Sequence, residues 1–324
     1  MLTAYACAPE GLRRTALPEG GELPEGLVWI DLLRPTEEEE AVVERLLGID
    51  VPTRAEMQEI EISSRLYEEG GAYFMTATLV ARADSAHPEW GAVTFILARG
   101  RLVTVRYVEP NSFSVFPTRA EHQPDLCTNG EGVLLGLLET VIDRMADLLE
   151  RIRSDVDQLS QSIFGQNGNA GGARPDHQAT LRHIGRRADI LSLVQESILG
   201  IDRLVSFHNE ATPGDGAKEL RGRYKALRRD LLSLRDYAAA LANKLTFLLE
   251  ATLGLVSIEQ NNIIKIFSVV AVVFLPPTLI ASIYGMNFHF MPELDWPFGY
   301  PMALALMVVS AIAPYLYFKR RRWL

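Results

Sequence analysis

Two apolar stretches near the C-terminus constrain this chain more than any other feature. Residues 263–283 carry one charge, Lys265, and residues 299–318 carry none. Each matches the roughly 20 apolar residues that cross a hydrocarbon core of about 30 Å. A cleaved leader is excluded by position, since leaders are N-terminal and shorter. Two buried helices of a soluble protein are the alternative, but the flanks follow membrane rules. Lys319-Arg320-Arg321-Arg322 comes directly after the second stretch, whereas the connection, residues 284–298, holds only Glu293 and Asp295. The cytoplasmic bias of Lys and Arg places the C-terminus inside and the connection outside. Two spans return the chain, so the long N-terminal part is expected in the cytoplasm as well. The expectation is a multi-pass protein of the inner (plasma) membrane with both termini cytoplasmic.

Charge is divided unevenly along the chain. Residues 261–324 contain two acids and five Lys or Arg; residues 1–260 contain 39 acids and 27 bases, a net −12. Such acidity argues against a nucleic-acid partner, because neutralising phosphates requires basic patches. It suits a domain that meets cations, and equally an acidic surface kept for solubility. Cys7 and Cys127 form no recognisable spacing and are expected as thiols in the cytosol. The six His residues show no ligand spacing, and no phosphate-binding glycine loop or nucleophile constellation occurs, so an enzyme is not expected.

Read in order, the chain is of the α+β class. Residues 1–128 form a small cytosolic α/β domain. Val28–Leu32 reads as a strand, and Glu37 to about Leu47 as a helix with acids in its first turn, ended by Gly48. Ile60–Tyr67, Tyr73–Ala81, Val93–Ala98 and Leu102–Tyr107 are rich in β-branched or aromatic residues, the last two joined by an Arg99-Gly100 turn. Asp84, His87 and Glu89 read as a solvated turn rather than a cation site. Residues 129–262 form a helical hairpin and a stalk. One helix is expected over 130–164 and a second over about 177–209, antiparallel across a Gly-rich break. A third starts near Ala217 and shows no stop before Ile283. Its seam, from Tyr224 through Leu227, Leu231, Leu234, Ala238, Leu241, Leu245, Leu248 and Thr252 to Leu255, repeats in heptads. So long a helix needs the hairpin around it and copies of itself from other subunits. Residues 263–324 form the membrane domain, with spans 263–283 and 299–318 and an outer loop 284–298.

The first span carries a graded face. Steps of three and four give Asn261, Ile264, Ser268, Ala271, Leu275, Thr278 and Ser282, polar at both ends and apolar between. Lipid rewards none of the polar groups, although Ser and Thr can bond back to a helix carbonyl. Around an axis, several such faces would line a narrow pore, with Ile264 and Leu275 as constrictions that close by dewetting. Pro276-Pro277 removes two backbone donors, tolerable within a bundle or at a pore. Beyond the span, Tyr284-Gly285-Met286-Asn287 opens the outer loop. Carbonyls of Gly285 and Asn287, with the Asn287 amide, are neutral acceptors for the waters of a hydrated ion. Such acceptors suit an ion that dehydrates reluctantly, since a fast site should touch its water shell rather than strip it. Gly285 allows φ > 0 and tight approach of backbones, and His289, Glu293 and Asp295 are expected to form the outer mouth, the acids raising local cation concentration.

Tyr-Gly-Met-Asn after a span, then Phe288-His289-Phe290-Met291-Pro292-Glu293-Leu294, a second span and a basic tail ending Trp323-Leu324, resembles the CorA family of magnesium channels. Phe274-Leu275-Pro276-Pro277-Thr278 and Val28-Trp29-Ile30-Asp31-Leu32 extend the resemblance. It implies a homopentamer with a funnel-shaped cytosolic part, transporting Mg2+ and also Co2+ or Ni2+ under the membrane potential, with no cofactor. It implies that Gly285-Met286-Asn287 is the selectivity filter, that Asn261 is a pore asparagine, and that Ile264, Leu275 and Thr278 line pore and gate. It also implies closure by cytosolic Mg2+ at acidic sites between subunits, which this sequence does not locate. His289 departs from the pattern, since relatives commonly carry an acid there. Two other readings stand: a ZntB-like zinc transporter, against which Met286 counts, and a membrane-anchored coiled-coil scaffold that conducts nothing.

Overall fold

A computed structural model describes residues 1–9, 11–17, 23–82, 89–165, 176–211, 218–287, 291–292 and 296–321. Its contacts divide the chain into two units, Met1–Leu248 and Leu249–Leu324.

In the first unit, strands β1 (Leu2–Ala8), β2 (Gly11–Thr15), β3 (Leu27–Leu33), β4 (Leu66–Glu69), β5 (Ala72–Ala81), β6 (Glu89–Ala98) and β7 (Arg101–Arg106) form one sheet. Its order is β2-β1-β3-β7-β6-β5-β4. Every neighbouring pair is antiparallel except β3 and β7, which run parallel and join the two halves. Side chains alternate between the two faces. Ile30, Leu32, Phe74, Ile96, Val103 and Val105 lie in one core with Val43 and Leu47 of α1 (Glu37–Leu47). Trp29, Met75, Leu79, Phe95 and Leu102 lie in the other, larger core. That core also holds residues of α3 (Ser112–His122), α4 (Gly130–Phe164) and α5 (His177–Ala211).

The parallel junction carries a buried polar chain. Trp29 Nε1 donates to Thr104 Oγ1 at 3.0 Å, and Thr104 Oγ1 donates to Asp31 Oδ1 at 2.8 Å. Arg106 closes it with two bonds to the Asp31 carboxylate, 3.0 and 2.8 Å, and a third to the Val108 carbonyl at 3.1 Å. Its guanidinium also lies 4.5 Å from the centroid of Phe113. The Trp-Ile-Asp stretch noted in the sequence is therefore a structural lock: Ile30 fills one core while Trp29 and Asp31 serve the other face.

Three long helices complete the unit, and their side-chain pairs reveal the directions. Asp155 pairs with Arg187 and Glu131 with His208, so α4 and α5 run antiparallel, as the sequence predicts. Glu139 pairs with Arg223 and Asp157 with Lys244, so α6 (Lys218–Tyr284) runs parallel to α4. The heptad seam of α6 is buried within its own chain: Tyr224, Leu227, Leu231, Ala238, Leu241, Leu245 and Leu248 belong to the larger core. The hairpin thus covers the seam, as expected. α4 begins at a close approach: a Cβ on Gly130 would lie 2.4 Å from the Arg101 carbonyl carbon, so only glycine fits against the start of β7.

Several elements depart from the sequence reading. Ile60–Tyr67 is not one strand. Ile62–Arg65 is the one-turn helix α2, and pairing begins only at Leu66, because Ile60 and Ile62 are 89% and 51% exposed and have no face to bury. β1, β2 and α3 carry too little apolar periodicity to be seen; α3 even contains Pro117. Cys7 and Cys127, unremarkable by spacing, have sulfurs 3.8 Å apart. Asp84 and His87 lie outside the described residues.

Glu131, His208 and Tyr224 join α4, α5 and α6. Tyr224 donates to Glu131 Oε1 at 3.0 Å, and His208 Nε2 is 3.4 Å from the same oxygen. Hydrogen bonding to His208 holds the Glu131 carboxyl below its ordinary range, with help from Tyr224 and against the upward push of burial. Burial pushes the Tyr224 phenol upward. A depressed folded-state carboxyl stabilises the fold above its unfolded pKa of about 4.3, and this contribution disappears as pH falls through the folded value. Glu131→Gln is therefore expected to flatten the acid limb of the stability–pH curve. Melting scans from pH 7 to pH 3 test this; an acid limb as steep as that of the wild type would remove Glu131 from the role.

Candidate functional site

The second unit comprises α6 from Leu249 onward and α7 (Gly299–Arg320). Both helices are long and apolar enough to cross a membrane, and only 6% of the most apolar 18-residue window of each is buried. A core helix of a soluble protein would be mostly buried, so that alternative does not describe these two. Ile264, Phe267, Phe274 and Leu275 are each more than 60% exposed. So large a bare apolar surface requires lipid or other copies of the chain around it.

The first span has two distinct sides. At about 100° per residue, Asn261, Ile264, Ser268, Ala271, Leu275, Thr278 and Ser282 fall on one strip about 100° wide. All seven are exposed. The positions that the chain itself covers are Val269, which is buried, and Lys265, Val273, Pro276, Pro277, Ile280 and Tyr284, which are half-buried. Their mean direction lies about 150° from the strip. This covered face escaped the sequence reading, although its spacing of three and four was visible. It orients the strip away from the side the chain itself covers. In α7 the buried positions are Gly299 and Ala303, one turn apart; small residues there allow close helix approach.

Two hydroxyls on the strip, those of Ser268 and Thr278, bond back to the helix. Ser268 Oγ donates to the Ile264 carbonyl and Thr278 Oγ1 to the Phe274 carbonyl, both at 2.8 Å. This does not remove them from ion chemistry. A hydroxyl that spends its proton on the backbone presents only lone pairs outward, which suits waters oriented by a cation. The helix continues through Pro276 and Pro277, which leaves the carbonyls of Val272 and Val273 without their usual donors.

α6 ends at Tyr284. The Gly285 N–H donates to the Ala281 carbonyl at 2.9 Å and the Met286 N–H to the Ile283 carbonyl at 3.3 Å. Gly285, Met286 and Asn287 are exposed. Helix C-termini carry the negative end of the dipole and unsatisfied carbonyls. The motif therefore stands where the backbone already attracts a cation. Gly285 does not use the positive φ that glycine allows; among the described residues the positive-φ glycines are Gly11, Gly26, Gly48, Gly70, Gly71 and Gly100. Room for a side chain is tight there. A Cβ would lie 3.0 Å from the Ala281 carbonyl oxygen, inside ordinary contact. His289, Glu293 and Asp295, expected at the outer mouth, lie outside the described residues.

Known proteins resemble the chain along its length. The profile of the family described as "CorA-like Mg2+ transporter protein" matches residues 24–320. A "Magnesium transport protein CorA" of Yersinia pseudotuberculosis is 40% identical over 328 residues, spanning 100% of both chains. The protein of the same description from Escherichia coli K12 is 39% identical over 326 residues, again spanning 100% of each. Among solved structures, the complete CorA magnesium transporter of Methanocaldococcus jannaschii superposes with a TM-score of 0.79 at 22% identity. It covers 100% of this chain and 99% of its own, a likeness of fold.

Proposed function

Because this chain belongs to the CorA-like Mg2+ transporter family, we propose that it moves Mg2+ across a membrane as a homo-oligomer. One observation supports this above the others. The strip bearing Asn261, Ser268 and Thr278 faces away from the side that the chain itself covers, and the helix carrying it ends in Tyr284-Gly285-Met286-Asn287. Two helices cannot enclose a water path, so copies must set their strips around a common axis.

In this reading five copies form the channel in the inner membrane, surrounded by lipid, with both termini cytoplasmic. Gly285 and Asn287 accept from the waters of the hydrated ion at the outer end, and Tyr284 and Met286 frame them. Asn261, Ser268, Ala271, Thr278 and Ser282 line the path, and Ile264 and Leu275 form its dry constrictions. His289, Glu293 and Asp295 set the charge of the mouth. A divalent ion entering a negative-inside cell gains roughly 4.6 kcal/mol per 100 mV, so no other energy source is needed. Co2+ and Ni2+, with octahedral water shells like that of Mg2+, share the path, and cytosolic Mg2+ closes it.

The test is ion flux into liposomes holding the purified protein, with Mg2+, Co2+, Ni2+ and Zn2+ offered separately under a negative-inside potential. Mg2+ entry that internal Mg2+ blocks is the expected result; zinc entry alone, or no flux, overturns the reading. Leu275→Ser tests the constriction separately. Wetting that ring is expected to raise Mg2+ leak about tenfold under high internal Mg2+, since one hydroxyl per copy lowers the cost of holding water there. Unchanged closure would take Leu275 out of the gate.

A further inference from the structure

The chain contains two cysteines, and folding sets them against each other. Cys7 lies in β1, and Cys127 ends the helical turn Pro124–Cys127, just before α4 begins. They are 120 positions apart in the sequence, yet their sulfurs are 3.8 Å apart. The larger core brings them together. Cys7 packs against it, as does Tyr5 two residues earlier, which stacks on Trp29. Cys127 is a member of the same core.

The two thiols differ in access. Cys127 is 0% exposed, whereas Cys7 is half-buried. A groove of about 830 Å3 along β1, β2 and α3 is lined by Tyr5, Ala8 and Leu12, among others. Tyr5 and Ala8 flank Cys7 along β1, and Leu12 is its partner across the ladder with β2. A small oxidant in that groove therefore reaches Cys7 first. Behind Cys7 stands a second thiol in contact with it. That pairing intercepts an oxidised sulfur before it climbs further up the oxidation ladder. With no other cysteine in the chain, Cys127 is the one intramolecular group that can do so.

We infer that Cys7 and Cys127 form a reversible oxidation site whose oxidant is hydrogen peroxide. The Cys7 thiolate attacks one peroxide oxygen, the O–O bond breaks, and the other oxygen leaves as water after taking a proton. Cys7 is then a sulfenic acid. The Cys127 sulfur attacks the Cys7 sulfur, the S–S bond forms and the S–O bond breaks. Hydroxide leaves and takes up the Cys127 proton as a second water. In sum, two thiols are oxidised to one disulfide and one peroxide is reduced to two waters. A bond of about 2.05 Å asks each sulfur to move by roughly 1 Å, within the range of side-chain rotation. A dithiol reductant reverses the step by exchange, so the disulfide is transient in a reducing compartment. While it lasts, it ties β1, beside the edge of the sheet, to the approach to α4. The site lies in the Met1–Leu248 unit, holds no residue of the ion path, and stands apart from the transport reading.

The experiment uses the full-length protein in detergent, reduced, separated from reductant and then treated with hydrogen peroxide. Wild type, Cys7→Ser and Cys127→Ser are afterwards unfolded and alkylated with iodoacetamide. The wild type is expected to lose both alkylatable thiols, to give two peptides joined through Cys7 and Cys127, and to regain both thiols with dithiothreitol. Cys127→Ser should instead hold Cys7 as a sulfenic acid that dimedone captures, and Cys7→Ser should keep Cys127 reduced. The linked wild type is expected to melt roughly 5–10 °C above the reduced form, because closing so long a loop restricts the unfolded chain. Survival of both thiols would mean that the cysteines only pack, and overturns the site. Bridges between the Cys7 residues of two copies overturn it as well. So does a linked protein that melts below the reduced form, since its bond would form only by distorting the fold.

Discussion

Asn287→Ala is expected to lower Mg2+ flux by about three orders of magnitude while the protein still assembles. In the proposed filter each copy offers one amide oxygen to the water shell of the ion. A hydrogen bond of that kind contributes about 1 kcal/mol net. Repeated in five copies around one axis, the loss approaches about 5 kcal/mol, and every 1.4 kcal/mol is tenfold. Assembly should survive, because Asn287 is exposed and lies beyond the end of α6, outside either buried core. Liposome flux measured beside gel-filtration size separates the two effects. Wild-type flux in a correctly assembled variant would refute the filter assignment. Asn287→Asp adds a charge per copy and is expected to bind the ion longer, slowing turnover rather than abolishing entry.

Asp31→Ala is expected to remove about 3–5 kcal/mol of stability from the N-terminal unit. Asp31 and Arg106 side chains are 7% and 9% exposed, and the pair is joined by two hydrogen bonds. Removing the carboxylate strands a guanidinium in the core and takes the acceptor from Thr104, which itself receives the Trp29 indole N–H. Since whole domains are stable by only about 5–15 kcal/mol, the variant should melt far below the wild type. A second variant identifies the cause. Asp31→Leu with Arg106→Met removes both charges and should recover much of the loss, because a buried pair roughly breaks even against apolar groups of similar volume. A single-variant loss under about 1 kcal/mol, or no recovery in the double variant, contradicts this account.

Much of the molecule was legible from periodicity. The ends of α1, α4 and α6 fell within a residue or two of their predicted positions because caps, glycines and heptad steps are local signals. β1, β2 and α3 were not, since the sheet edge and Trp29 stabilise them from a distance. Ile60–Arg65 failed in the opposite sense: its composition favours a strand, but no neighbour offers it a face.

The same division runs through the functional residues. Sequence alone determined the two spans, the strip from Asn261 to Ser282 and the hinge at Tyr284, because hydrocarbon thickness and helical period act on consecutive residues. It also determined that α6 runs unbroken into the first span. Tertiary structure alone decided which side of the first span its own chain covers. It alone brought Cys7 to Cys127. Those relations join residues tens of positions apart. They follow from how sheet and helices stack to bury apolar area, which no local pattern records.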